Sequence, residues 1–188
     1  MAIYPPAEAL DDILAQTAQL RIGVAAANGI NVRLAARENM HLTLAFLGEV
    51  AEDRLPAVHA ALERAADAHR EATGPLQLRF ASGGRFGRGR FTVLWAGVDG
   101  DLAGLHALHA AVRRELRRAR LPYDHRPYRP HLTLARPGER ISREAVDADR
   151  ETLYDYLGPT WPVTEIVLVR SQLGPRPQHH RLAAWPLG

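Results

Sequence analysis

The string His-Leu-Thr-Leu-Ala occurs twice, at residues 41–45 and again at 131–135. Side chains alternate along a β-strand, so His41 and Thr43 share one face and Leu42 and Leu44 the other. The same alternation sets His131 and Thr133 against Leu132 and Leu134. The apolar face of each segment can enter a core, while the other face pairs an imidazole with a hydroxyl. Two such strands brought together converge two imidazoles and two hydroxyls on one spot, which suits phosphoryl transfer. A lone histidine in a strand is more often an ordinary core or surface residue. A second identical copy, again in strand context and followed by Arg136, points to a built site.

The rest of the chain frames these strands. Apolar spacing predicts helices over 7–20, 55–72 and 102–120, the last with Leu102, Leu105, Leu108, Val112 and Leu116 as its stripe. Strands are predicted over 32–34, 40–47, 76–81, 91–98, 131–135, 163–170 and 180–185. Asn28-Gly29 marks a turn, 82–90 reads as a loop, and 136–158 as a loop with a short helix near 142–150. Divided at its middle, the chain runs helix, His-x-Thr strand, helix and strand pair, then helix, His-x-Thr strand and further strands. That order predicts two related α+β lobes with the repeated strands at their junction. No composition shift marks a linker, so residues 1–188 are expected to form one bilobal domain.

Composition narrows the chemistry. The 188 residues contain no cysteine, which excludes a disulfide framework, a thiolate nucleophile and cysteine-ligated zinc. All 24 basic residues are arginine, so there is no Schiff-base or phosphate-loop lysine. A net charge of +3 is compatible with an anionic ligand, and arginine's planar fork suits phosphate. No apolar run approaches the ~18 residues of a membrane span and no signal pattern follows Met1. The chain is therefore expected in the cytoplasm, without membrane contact.

Hydrolysis of a cyclic phosphodiester needs a base to activate water and an acid to protonate the departing oxygen. Two histidines on opposite sides of phosphorus can do both without a metal, since imidazole titrates near about 6.5. Thr43 and Thr133 can hydrogen-bond the non-bridging oxygens and hold the phosphate between the rings. Arg136 can neutralise charge that builds on those oxygens.

These residues resemble the two-histidine (2H) phosphoesterase superfamily, defined by paired His-x-Thr-x motifs. Within it the chain is most similar to the bacterial RNA 2′,3′-cyclic phosphodiesterases, also called 2′-5′ RNA ligases. The flanks carry the likeness: Arg37-Glu38-Asn39-Met40 before the first motif with Phe46-Leu47-Gly48 after it, and Arg126-Pro127-Tyr128-Arg129-Pro130 before the second. With residues 91–97 and the 102–120 helix, the resemblance covers most of 37–173. It implies an α+β fold of two pseudo-two-fold duplicated lobes, with antiparallel sheets lining a central cleft and helices packed outside. It implies metal-independent hydrolysis of a 2′,3′-cyclic phosphate to a 2′-phosphate with no cofactor, the partner being an RNA end or a cyclic nucleotide. It assigns His41 as general acid and His131 as general base, with Thr43, Thr133 and Arg136 on the phosphate. Family members begin with a full hydrophobic strand that often carries an aromatic residue for the nucleobase. Met1-Ala2-Ile3-Tyr4-Pro5 resembles only the end of that strand, which leaves base stacking there open.

Other features carry less. His106 and His109 lie three apart on a helix, but no third ligand stands at a matching offset, so no metal site is expected. His179 and His180 read as surface residues, and Arg113, Arg114, Arg117, Arg118 and Arg120 as a solvated helix face. The arginine, glycine and phenylalanine of 83–90 form a flexible loop able to guide RNA. Arg126, Tyr128 and Arg129, just before the second motif, are the candidates for RNA contact. A monomer is expected. The alternatives are an RNA-binding module without turnover, a 2′-5′ RNA ligase, or an enzyme acting on another cyclic phosphodiester. Intact histidines and threonines in both motifs favour turnover.

Overall fold

Leucine and alanine recur every three or four residues in the helical stretches, and the segments between them alternate in burial as strands do. In the computed structural model, which describes residues 1–172 and 178–188, the elements follow in this order. They are β1 (Ala2–Ile3), α1 (Ala7–Gln19), α2 (Arg21–Ala27), β2 (Arg33–Leu34), β3 (Leu42–Thr43), α3 (Leu55–Ala72) and β4 (Leu76–Phe86). Then come β5 (Val93–Gly100), α4 (Leu102–Arg118), β6 (Leu132–Arg136), α5 (Arg143–Thr152), β7 (Trp161–Val163), β8 (Glu165–Gln172) and β9 (Gln178–Pro186). Leu173, where the family resemblance ends, lies outside the described residues. Among the described residues no helix is long and apolar enough to cross a membrane.

The strands form one curled antiparallel sheet in the order β7-β4-β5-β6-β3-β1-β8-β9, with β2 also paired to β6. Its seam is the pair Leu42–Leu132. One half, β6-β5-β4-β7, carries the second His-Leu-Thr-Leu-Ala string, and the other, β3-β1-β8-β9, carries the first. The duplicated strands therefore do meet at the junction. The halves, however, are not the two halves of the chain. The β4–β5 hairpin follows the first string in sequence but pairs with the second, and β8 and β9 return to flank the first. The β3-β1-β8-β9 half thus draws strands from both ends of the chain and the other half from its middle, which ties the lobes into one core. Leu42, Leu44, Leu132 and Leu134 are all essentially buried in it.

Two local departures from the expected strands have packing causes. The loop expected over 82–90 is mostly strand, because β4 runs on to Phe86 beside β5. Glycine is there to make room for neighbours: a Cβ on Gly84 would lie 2.1 Å from the Trp95 ring, and one on Gly83 2.6 Å from Leu153. The reversal itself falls at Gly87, with φ of 69°, and the 3₁₀ turn Gly89–Phe91. Gly84→Ala is expected to overpack this contact and cost about 1–3 kcal/mol, seen as a lowered melting temperature and altered tryptophan fluorescence. The strand expected over 40–47 makes ladder bonds only at Leu42 and Thr43. Beyond it the backbone continues to bond β1's end: Leu44 N–H donates to the Met1 carbonyl at 3.0 Å, and the Met1 ammonium to the Ala45 carbonyl at 3.0 Å.

Candidate active site

The pairing of β3 with β6 sets the site's geometry. Leu42 opposite Leu132 places His41 across from Thr133 and Thr43 across from His131, all four on the face away from the buried leucines. Each imidazole therefore faces the other motif's hydroxyl, and a two-fold axis through the seam exchanges the rows. The two strands expected to meet at the junction are hydrogen-bonded neighbours there, which gathers the four side chains on one surface.

Both imidazoles are anchored in the same way. His41 Nδ1 donates to the Asn39 carbonyl at 2.8 Å, and His131 Nδ1 to the Arg129 carbonyl at 2.7 Å. A carbonyl only accepts, so Nδ1 carries the hydrogen and Nε2 of each neutral ring is left with its lone pair for the substrate. The two Nε2 atoms are thus left free in the same way, each by a carbonyl two residues upstream.

Their surroundings differ. The His41 ring stands edge-on to His179 at 4.9 Å between centroids, with Tyr4 at 5.7 Å. Burial lowers the His41 pKa to about 4, a change opposed by the hydrogen bond to Asn39 and reinforced by the positive charges of His179, the N-terminus and His131. His131 instead stands edge-on to Phe86 at 4.9 Å, with Trp95 at 6.1 Å. A cavity of about 700 Å³ opens beside His41 and Thr43, walled by Met1, Phe46, Val58 and Leu168.

The other candidates are placed as follows. Arg136 ends β6, exposed. Arg126 is held by Asp124, its Nε 2.7 Å from the carboxylate, and this ion pair drives the Asp124 pKa down to about 2. Arg129 is exposed and serves His131 through its carbonyl. Tyr128 does not project as an RNA platform: its ring lies flat on His109, 3.9 Å away and 7° from parallel, with a buried hydroxyl. His109 Nδ1 also donates to the Leu44 carbonyl at 2.8 Å. That histidine, considered only as a metal ligand in the sequence, joins the approach to the second motif to the strand of the first. Among the described residues no three histidine or carboxylate side chains cluster as a metal site. His179, expected at the surface, and Phe86, expected in a loop, stand against the two imidazoles with Trp95, to which the sequence alone assigns no role. Nothing local signals His179 or Phe86, but the Gly84 vacancy opposite Trp95 is the kind of pairing that glycine within a strand announces.

Comparison with known proteins follows the same lines. The model of the 2′-5′ RNA ligase superfamily matches residues 7–175. An RNA 2′,3′-cyclic phosphodiesterase of Geobacillus stearothermophilus is 32% identical over 151 residues, covering 80% of this chain and 46% of the relative. The chain thus spans about half the length of that relative. A crystallised protein of Thermus thermophilus superposes with a TM-score of 0.73 at 27% identity, covering 99% of this chain and 95% of that one. Escherichia coli LigT complexed with 3′-AMP superposes with a TM-score of 0.69 at 25% identity, covering 99% and 94%. By its paired motifs, its fold and the match over most of its length, the chain belongs to the 2′-5′ RNA ligase superfamily.

Proposed function

We propose that the protein is a metal-independent RNA 2′,3′-cyclic phosphodiesterase, opening a terminal cyclic phosphate to a 2′-phosphate and a free 3′-hydroxyl. The observation that carries this reading is the in-register square of His41, Thr133, Thr43 and His131. It sets two imidazoles diagonally about one spot with a hydroxyl beside each. His131 Nε2 takes a proton from water as the water oxygen bonds phosphorus. The P–O3′ bond breaks, and His41 Nε2 delivers its proton to the departing oxygen. Thr43, Thr133 and Arg136 hold the non-bridging oxygens. The name of the Geobacillus relative and the 3′-AMP held by LigT support this substrate class. We place the protein in the cytoplasm as a monomer, consistent with its lack of cysteine.

Burial keeps His41 neutral in the free protein until pH falls to about 4, so the phosphate anion must draw the acid's proton onto it. The active pair holds one proton between two rings, and the lower macroscopic pKa is the one at which the second proton enters. The acidic limb of kcat/KM, which reports the free protein, is expected near pH 4. In kcat, with the anion bound, that limb shifts upward. An acidic limb of kcat/KM above pH 6 would contradict a buried, neutral His41. The functional reading itself is tested with a panel of terminal and mononucleotide 2′,3′-cyclic phosphates in excess chelator. Turnover across the panel is expected, and absence of turnover on every member would overturn it.

A further inference from the structure

The square of catalytic side chains has a third row. β6 pairs with β3 at Leu132 and, further along the same edge, with β2, where Arg33 stands opposite Arg136 and Leu34 opposite Ala135. A bulge in β6 decides which way Arg136 faces. Toward β5 the register passes from Thr133 opposite Trp95 to Ala135 opposite Leu94, so one extra residue is inserted. Leu134 and Ala135 both turn inward, at 1% and 0% exposure. The strand resumes with Arg136 on the side of Thr133 and His131. Arg33 is exposed like Arg136 and, as its directly opposite partner in the ladder, shares that side. Along the face the rows then read Thr43 with His131, His41 with Thr133, and Arg33 with Arg136.

Like charges directly opposite one another across a strand pair repel. Among the described residues neither arginine has a carboxylate within ion-pair distance. Arg140 instead braces β2 by donating to the Asn31 carbonyl at 3.0 Å. Of these two guanidinium groups, Arg136 serves the cyclic phosphate and Arg33 is left for a second anion. They lie about 10 Å along the strand from Thr133, at about 3.3 Å per residue, which a long side chain shortens by several ångströms. A cyclic mononucleotide ends at the catalytic rows. An RNA strand carries another phosphate one nucleotide further on.

We propose that Arg33, beside Arg136 on the cyclic phosphate, binds the phosphodiester that joins the terminal nucleotide to its neighbour, so that the site selects RNA ends over cyclic mononucleotides. This rests on the phosphodiesterase reading above and narrows its substrate. Arg33 is a specificity residue that carries no part in the proton transfers.

The test compares a dinucleotide ending in a 2′,3′-cyclic phosphate with the corresponding cyclic mononucleotide, for wild type, Arg33→Ala and Arg33→Lys. The ratio of the two kcat/KM values is expected to fall about ten-fold in Arg33→Ala, with partial recovery in Arg33→Lys, as for the loss of one charged hydrogen-bonded contact. The dependence of log kcat/KM on log salt for the dinucleotide should flatten by about 0.7, the slope for one phosphate on a single strand. An unchanged ratio and salt slope in Arg33→Ala would overturn the proposal, as would equal losses on both substrates. Calorimetric binding of the 2′-phosphate products, dinucleotide against mononucleotide, gives the same ratio without turnover. A wild type that turns over neither substrate therefore sinks the phosphodiesterase reading while the binding ratio still decides Arg33.

Discussion

Alanine at His41 or at His131 is expected to lower kcat on a 2′,3′-cyclic nucleotide by about 10²–10⁴-fold, the usual worth of a positioned general acid or base. The two rings work on one phosphorus in one step, so the double variant should lose little beyond the worse single variant. Each Nδ1 is spent on a backbone carbonyl, and the square holds no third imidazole to replace a lost Nε2. Thr43→Ala and Thr133→Ala leave both proton carriers in place and are expected to fall less far. The melting temperature of each histidine variant should stay close to that of the wild type, since both rings lie on the face of the sheet away from the leucine core. A single alanine variant that retained activity within three-fold would remove that ring from the mechanism.

The largest expected loss of stability is far from the phosphate site. Asp149, on α5, is 1% exposed, and its carboxylate accepts the backbone N–H groups of Arg21 at 2.7 Å and Ile22 at 3.0 Å. Leu20, at the N-cap of α2, supplies no side-chain bond to those groups. Asp149 thus caps a helix over a hundred residues away in sequence and fastens α2 to α5. Removing it orphans two backbone donors at about 1–3 kcal/mol each. Asp149→Ala should cost roughly 3 kcal/mol and lower Tm by about 10 °C for a domain of this size. Asp149→Asn, which keeps one acceptor, should lose about half as much. A Tm change under 3 °C in the alanine variant would show that water satisfies those donors.

This cap also explains what the sequence could not reveal. The long helix α3 spans 55–72 as its apolar spacing requires, and α4 ends two residues before the expected position. Their periodicity is local, and local pattern is enough. α2 has only seven residues and depends on a carboxylate from the opposite end of the chain, so no local signal marks it. The strand content of 83–86 was hidden by glycines that read as a loop, although their emptiness is filled by Trp95 and Leu153. The grouping of His41, Thr43, His131 and Thr133 was legible because each motif is local and repeated. The exchange of strands between the lobes was not, since the repeat specifies that two strands meet and leaves open which hairpin follows each. His179 and Arg33 entered the site through pairings of β9 with β8 and β2 with β6, which only the folded chain makes.

The central claim is that two imidazoles alone open the ring at its 3′-oxygen. It is tested most directly by ³¹P NMR of a 2′,3′-cyclic nucleotide incubated with the wild-type protein in excess chelator. The expected spectrum converts the cyclic phosphate resonance wholly into that of a 2′-phosphomonoester. A cyclic phosphate that persists unchanged, or a product with its phosphate on the 3′-oxygen, would contradict it.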